Sequence, residues 1–489
     1  MKLRDVLLNV PVIKVKGDLE LDCENITFDS RKVGGLNTIF VCLKGENTDG
    51  HLFALDAVKN GAKVIVCERE LGVCDNEIIV ESSRKTFALL ASNFYGNAHK
   101  HLKMIAITGT NGKTTTTYMI KSILENFGAK VGLIGTEGAF VCGQYFSVNL
   151  TTPDPMELNR LFKIMYENGC EYCVMEASAH ALYHDKLYGI NFDVGIFSNF
   201  TQDHLDFFKN MDNYSRAKLK LFNENMCKIA VLNFDDELGR EIADCSKIPV
   251  ISYAIESPAD CFVIDIAKNY FGSKFVLNLM DNISDCEINL PGKYNIYNAL
   301  SAAAATIALG VDIKNIVRGL KALEFVSGRF NSIPLCSGAH AIIDFAHTPD
   351  GMKNILTAIK ELNPKRLITV FGCGGNRDQG KREQMGAISE SLSDFSILTS
   401  DNPRFENPEL ILSDIECGFL KDKFISVVNR EKAIEIALNL ARKGDIVAIL
   451  GKGAEKYQDI NGMKVPYCDI EIVKIIDEKI ATIKSLAGV

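Results

Sequence analysis

The sequence predicts an α/β protein of three domains: a small α/β domain at the N-terminus, a doubly wound central domain, and a Rossmann-like α/β domain at the C-terminus. Three observations predict it. A length of 489 residues accommodates two to four domains at roughly 100–200 residues each. Between Met104 and Ile134 the order is strand, Gly-rich turn, helix, strand, which opens a doubly wound sheet. After Gly328-Arg329 the alternation of strand-like and helix-like stretches starts afresh.

Taken in order, residues 1–98 read as short strands and helices with frequent turns. Ile39–Leu43 is one strand, and Ala62–Cys67 is another after a helix ending at Gly61. The polar stretch Gly96–Lys100 is expected to be a linker into a second unit, residues 99–326. There the strand Met104–Ile107, the helix Thr114–Phe127 and the strand Lys130–Ile134 begin the series. Cys173–Glu176, Val194–Phe197 and Ile229–Leu232 continue it, and the Ala-rich helix Asn295–Leu309 is expected to close it. In the third unit, residues 327–489, Ala341–Ile343, Leu367–Phe371 and Ile446–Leu450 read as buried parallel strands. Each is followed by a polar loop, where an open α/β sheet places its ligands. No internal repeat or low-complexity segment interrupts the chain.

Composition narrows the function. Hydrophobic residues at 47% and charged residues at 24% are the ordinary globular balance. A net charge of −8 argues against nucleic acid or an anionic membrane as the main partner, since both need a concentrated basic face. No run of eighteen apolar residues and no signal-like N-terminus is present, so a cytoplasmic protein is expected. Fifteen scattered cysteines do not form a disulfide framework. Most sit in apolar runs as small core residues, and Cys170/Cys173 has C-x-x-C spacing without a second pair.

The strongest local signal is Thr108-Gly109-Thr110-Asn111-Gly112-Lys113-Thr114-Thr115, between a strand and a helix. Glycines let successive N–H groups point at phosphate oxygens, Lys113 supplies a positive charge, and Thr114 offers a hydroxyl to magnesium. Ile107 stands where the standard phosphate loop has its first Gly. The tighter form resembles the Mur ligase and folylpolyglutamate synthetase superfamily, which joins an amine to a carboxylate at the expense of ATP. Further segments carry the resemblance: Glu176-Ala177-Ser178-Ala179-His180-Ala181-Leu182, Asp203-His204-Leu205-Asp206, Tyr214-Ser215-Arg216-Ala217-Lys218, Gly292–Asn298, Gly328-Arg329, Asp344–Pro349 and Phe371–Asp378. They span all three domains in order. Asp29-Ser30-Arg31, Thr151-Thr152-Pro153 and Asp401-Asn402-Pro403-Arg404 are similar to the MurE branch of that family.

The resemblance implies a P-loop-type ATPase fold for the central domain and an acyl-phosphate route to an amide. Glu176, a hard oxygen donor at a strand end, suits Mg²⁺ on its own chemistry. His204 becomes a metal ligand only through the resemblance, because imidazole is an unusual magnesium ligand. Lys218 is by itself an ordinary helix lysine. The resemblance implies a lysine carbamylated by CO₂, which requires a neutral amine. The implied catalytic set is Lys113, Glu176, His204 and Lys218. Gly109–Thr115 with Asn298, Arg329 and Asp344 would hold ATP, and Thr114, Glu176, His204 and carbamylated Lys218 would hold Mg²⁺. His347 is expected to order the hinge region rather than move protons.

The implied carrier substrate is UDP-N-acetylmuramoyl-L-alanyl-D-glutamate, met by Ser30, Thr151, Thr152, Ser178, His184 and Lys186. His184 and Lys186 stand where such enzymes usually carry Gln and Arg, and Ala454 where relatives commonly carry His. The implied amine is meso-diaminopimelate, met by Arg377, Asp401, Asn402, Pro403, Arg404, Gly451 and Glu455. Arg404 offers a planar fork that matches a second carboxylate. The alternatives weighed are a lysine-adding relative, a folylpolyglutamate synthetase-type ligase, and a nucleotide-dependent switch that turns over no small molecule. A monomer is expected, with its C-terminal domain closing on a hinge at Phe325–Arg329.

Overall fold

A computed structural model describes residues 1–34, 37–46, 48–269 and 272–487. Three large sheets follow one another along the chain. The first has five strands in the order 14–15, 77–79, 62–67, 38–41, 25–27, parallel except for the short first one. Its strands are apolar on both faces: Val64 and Val66 face one cluster with Phe87 and Leu90, while Ile65 and Cys67 face another with Ala54 and Ala57. Burial on both sides is what a continuous Val/Ile run predicts for a parallel sheet.

The central sheet has eleven strands. Its parallel heart runs 250–254, 227–233, 192–197, 103–108, 172–176, 131–135, so the strand preceding the Gly-rich loop lies at the middle. Behind it the helix Lys113–Asn126 packs on Lys293–Ala308 and Ile313–Ala322. Small residues permit this approach: Ala299 and Ala302–Ala305 are wholly buried, and a Cβ on Gly319 would collide with the backbone of Ile123.

Three expectations need correction here. The helix Lys293–Ala308 does not close the unit, because Ile313–Ala322 follows and packs on the same helix. The sheet is mixed, with antiparallel pairing among strands 261–269, 272–279 and 282–288 on one side and among 131–135, 138–141 and 144–146 on the other. The stretch Gly96–Lys100 is no loose linker: Ala98–His101 form a 3₁₀ turn, and buried His99 packs on Phe162. Burial there depresses the His99 imidazole to about 4, so it stays neutral and adds to the core.

The third sheet has six strands, 331–334, 340–344, 446–450, 367–371, 395–399 and 424–427, parallel except for the first. Chain passes into it through the turn Val326–Arg329, closed by Arg329 N–H donating to Val326 O at 3.0 Å. Arg430 and Asp469 anchor its C-terminal helix, Asp469–Ala487. Both side chains are wholly buried, with Nε to Oδ1 at 2.9 Å and Nη2 to Oδ2 at 2.7 Å. Arg430 also donates to Leu450 O at 3.0 Å, at the end of the last buried strand.

Asp469→Asn keeps the shape and removes one charge, leaving Arg430 buried without its counter-ion. It is expected to cost about 3–5 kcal/mol, whereas replacing both residues by apolar ones of similar volume costs less. Chemical denaturation of the three variants checks this ordering.

Candidate active site

The Gly-rich loop leaves the strand Lys103–Thr108 and enters the helix at Lys113. Gly109 (φ +146°) and Gly112 (φ +87°) hold left-handed backbone, and a Cβ on them would collide with Ser198 Oγ and Asn298 Oδ1 respectively. The segment after the neighbouring strand ties the loop down. Thr110 N–H donates to Asn199 O at 2.9 Å, and Asn111 N–H to Asn199 Oδ1 at 2.8 Å. Lys113 Nζ donates to Gly109 O at 3.1 Å and Thr110 O at 2.8 Å. Burial pushes its ammonium below the usual lysine range, with Glu176 and Asp203 opposing.

Glu176 ends the strand Tyr172–Glu176 and is buried. Its Oε1 accepts from Thr114 Oγ1 and from Thr136 N–H, both at 2.9 Å, and its Oε2 from Thr136 Oγ1 at 3.2 Å. Arg329 Nη2 in turn donates to Thr114 Oγ1 at 3.1 Å, from across the inter-sheet turn. Thr151 and Thr136 hydroxyls lie 3.1 Å apart, and Thr152 Oγ1 donates to Glu176 O at 2.8 Å and Ser178 Oγ at 3.2 Å. Buried Asp344 accepts from Phe330 N–H and Ala346 N–H, both at 2.8 Å, which fixes the turn beside Arg329.

Lys218 sits on the helix Met211–Leu219, 1% exposed. Its Nζ donates to Gly109 O at 2.7 Å, the same carbonyl that Lys113 uses, and lies 4.2 Å from the Tyr214 ring centroid. Burial, then the like charge of Lys113, pushes its pKa well below the ordinary lysine value. His204, in left-handed backbone (φ +56°), packs edge-on to the His180 ring at 4.8 Å. Its Nε2 lies 3.5 Å from Asp203 Oδ2. Burial dominates over the Asp203 charge and favours the neutral imidazole.

At the other end, Arg404 Nη1 donates to Gly375 O at 2.8 Å, and burial and the neighbouring Arg377 charge weigh against its cation. Arg377 Nη1 reaches Asp206 Oδ2 at 3.6 Å. Two guanidinium groups beside one cavity make a receptor for an anion. Glu455 offers the opposite charge. Its Oε2 accepts from Asn402 Nδ2 at 3.0 Å and from Lys452 Nζ at 2.7 Å, while Lys452 also donates to Asn402 Oδ1 at 3.0 Å. Gly451 (φ +113°) leaves room for Asp401, whose carboxylate a Cβ would strike.

One cavity of about 1470 Å³ collects most of these groups: Gly109–Thr115, Thr151, Glu176, Ser178, His204, Lys218, Asn298, Arg329, Asp344, Arg377, Asp401, Asn402, Arg404, Gly451 and Glu455. Ser30, Thr152, His184, Lys186 and Pro403 lie outside its lining. Thr152 is bonded to two lining residues, Glu176 and Ser178, and Pro403 stands between two more, Asn402 and Arg404. Ser30 starts a 3₁₀ turn in the first unit, its carbonyl taking Asn60 Nδ2 at 3.0 Å. Lys186 is paired with Asp154 at 2.7 Å, and burial lowers the His184 imidazole to about 4. Thr136 and Lys452 stand in none of the sequence motifs, and Asp203 stands in one, Asp203–Asp206, without a role of its own. Thr136 and Lys452 each follow the end of a buried parallel strand, and that position was the available signal. Ala454 lines the cavity, and a Cβ on Gly328 would collide with its backbone N.

Comparison with known proteins gives three family matches in chain order. Residues 22–95 match the Mur ligase family catalytic domain, residues 107–306 the Mur ligase middle domain, and residues 328–453 the Mur ligase glutamate ligase domain. The UDP-N-acetylmuramoyl-L-alanyl-D-glutamate–2,6-diaminopimelate ligase of Clostridium tetani is 42% identical over 98% of this chain and 100% of its own. Its namesake in Clostridioides difficile is 40% identical over 96% and 98%. A solved structure of a ligase of that name superposes with a TM-score of 0.70 at 29% identity, covering 98% of this chain and 99% of the other. MurF from Acinetobacter baumannii shares the fold, with a TM-score of 0.67 at 20% identity over 98% of each chain.

Lys452→Met removes the shared partner of Glu455 and Asn402. A charge-assisted hydrogen bond is worth about 1.5–3 kcal/mol, so the KM for the amine substrate is expected to rise roughly ten- to hundredfold. Nucleotide affinity, measured by calorimetry, is expected to stay unchanged, because Lys452 touches none of the Gly-rich loop.

Proposed function

The chain belongs to the Mur ligase family, and from that premise we propose that it is an ATP-dependent amide ligase that joins meso-2,6-diaminopimelate to UDP-N-acetylmuramoyl-L-alanyl-D-glutamate, in peptidoglycan precursor synthesis. The observation that carries this reading is the meeting, in one cavity, of the Gly-rich loop with a guanidinium pair, Arg377 and Arg404, and a pre-set carboxylate, Glu455. An amine whose far end is itself an amino acid, with both an ammonium and a carboxylate, matches that pair of opposite charges. On this reading residues 1–98 serve the uridine end of the carrier, 99–326 the nucleotide and 327–489 the amine.

The chemistry needs a carboxylate to take the terminal phosphoryl group of ATP and an amine to displace phosphate from the acyl phosphate. ADP and phosphate leave as the amide forms. All reacting groups but the amine are anionic, so the protein's task is to neutralise and align. Loop N–H groups and Lys113 face the phosphates. Arg329, already bonded to Thr114, brings a fork to the same oxygens. Thr151 and Ser178 border the cavity beside Glu176, where the carrier's peptide carboxylate would be presented.

The donor set suits Mg²⁺. Thr114 and Glu176 supply hard oxygens 2.9 Å apart, and His204 a neutral nitrogen. Among the described residues no three His, Cys, Asp or Glu side chains form a metal cluster. A carbamate on Lys218 would supply the missing anionic oxygen, and its depressed pKa is the condition for that modification. Bound there, the ion would offset phosphate charge.

Wild-type protein should prefer meso-diaminopimelate over L-lysine by on the order of 10⁴ in kcat/KM, and Arg404→Ala should lose most of that preference. Equal values for the two amines in the wild type would refute the assignment.

For Lys218, ¹³CO₂ is expected to give a carbamate carbon signal that Lys218→Ala lacks, and CO₂ depletion to lower turnover until bicarbonate is restored. The sign with pH follows from the depressed pKa. The amine is neutral above it and is protonated as pH falls through it, so CO₂-dependent activity should fade on the acid side. A wild-type spectrum without that signal would exclude the carbamate.

A further inference from the structure

Outside the cavity, two thiols lie in contact. Cys142 Sγ and Cys170 Sγ are 3.8 Å apart, 28 residues apart in sequence. The C-x-x-C spacing of Cys170 and Cys173 is therefore misleading, because Cys173 is sealed inside the central sheet and Cys142 supplies the neighbouring sulfur.

We propose that Cys142 and Cys170 are a modification site, a dithiol that hydrogen peroxide converts to a disulfide. The two thiols differ in the way such a reaction needs. Cys142 is exposed, at the tip of the hairpin joining Gly138–Val141 to Gln144–Phe146. It and Gly143 hold φ values of +48° and +81°, a two-residue turn with both residues left-handed. Cys170 is 5% exposed, in the loop before Tyr172, and borders a second cavity of about 660 Å³. Burial, with Cys142 acting in the same direction, pushes the Cys170 thiol up to about 12. Cys142 is thus the sulfur that meets the oxidant and Cys170 the one that resolves the product.

The reaction balances as follows. Cys142 thiolate attacks one peroxide oxygen, the O–O bond breaks, and hydroxide leaves, giving Cys142 sulfenic acid. Cys170 sulfur then attacks the sulfenic sulfur, the S–O bond breaks, and water leaves with the Cys170 proton. Overall two thiols and one H₂O₂ give one disulfide and two waters. Bringing the sulfurs from contact to a bond of about 2.0 Å requires a shift that rotation about the Cys142 side chain at an exposed turn can supply.

The site connects to the main cavity through the hairpin itself. One end of the hairpin carries Cys142, and the other continues into Ser147–Thr151, which line the cavity. Gln144–Phe146 is the sheet's edge strand, and Tyr145 is exposed. An edge pair of this kind opens locally at low cost, and a staple at its tip suppresses the opening.

The test treats the full-length protein with hydrogen peroxide, then combines thiol counting, peptide mapping and hydrogen exchange. Expected are the loss of two of the fifteen thiols, a Cys142–Cys170 linked peptide, and amide exchange over residues 138–146 slowed about tenfold or more. Cys142→Ser should abolish linkage and slowing together, and Cys170→Ser should leave a sulfenic acid on Cys142 that dimedone traps. Cys142 driven to sulfinic acid in the wild type, or a disulfide between chains in place of the internal link, would overturn the proposal. A linked peptide with unchanged exchange would overturn the coupling to the hairpin.

Discussion

A buried carboxylate whose charge must be answered from several directions organises this molecule. Glu176 is nearly inaccessible to water, so its oxygens need donors, and each donor comes from a different segment. Thr114 comes from the helix after the Gly-rich loop, and Thr136 from the end of the adjacent strand. Thr114 hands the demand on to Arg329, so a residue beyond the inter-sheet turn is drawn into register with the loop. Asn111 Nδ2 to Asp350 Oδ2 at 2.9 Å and Gln202 Nε2 to Asp378 Oδ2 at 3.1 Å span the same boundary. The second and third sheets thus meet through polar contacts, and Tyr294 of the second unit also packs on the apolar core of the third.

The two ends of the cavity handle charge in opposite ways. At the amine end Lys452 holds Glu455 and Asn402 bridges them, while the guanidinium groups of Arg377 and Arg404 border the cavity. Such a site is pre-organised and demands complementary charge from what enters. At the nucleotide end two lysines share one carbonyl oxygen, Gly109 O, and among the described residues no carboxylate pairs with either ammonium. Burial, and then the like charge of Lys113, press the Lys218 ammonium toward its neutral form, a pressure an ordinary surface lysine does not feel.

What could be read in advance depended on whether the information lay in a short stretch of chain. Gly109–Thr115 and Tyr214–Lys218 are contiguous motifs, and the buried runs Ala62–Cys67, Leu367–Phe371 and Ile446–Leu450 are strands with the bounds expected. Features made by distant residues were not legible. Lys452 looks like any lysine between two glycines until Asn402, fifty residues earlier, comes beside it. The stretch Gly96–Lys100 is polar in sequence, as a linker is, yet the neutral ring of His99 belongs to the core. The antiparallel flanks escaped because the half-exposed strands 282–288 and 144–146 carry none of the long apolar runs that mark the parallel strands.

The Arg430–Asp469 pair also has a bearing on how the molecule is made. Asp469 opens the final nineteen-residue helix, and through Arg430 it secures the carbonyl of Leu450, from which Gly451 to Glu455 depart. During synthesis the Gly-rich loop and its partners near Ser198 leave the ribosome some 270 residues before Asp469 does, at about 5–20 residues per second. A nascent or prematurely ended chain therefore carries a complete phosphate-facing loop while its amine end is still unformed. Only when Asp469 meets Arg430 is the carbonyl of Leu450 fixed, and with it the departure of Gly451 to Glu455.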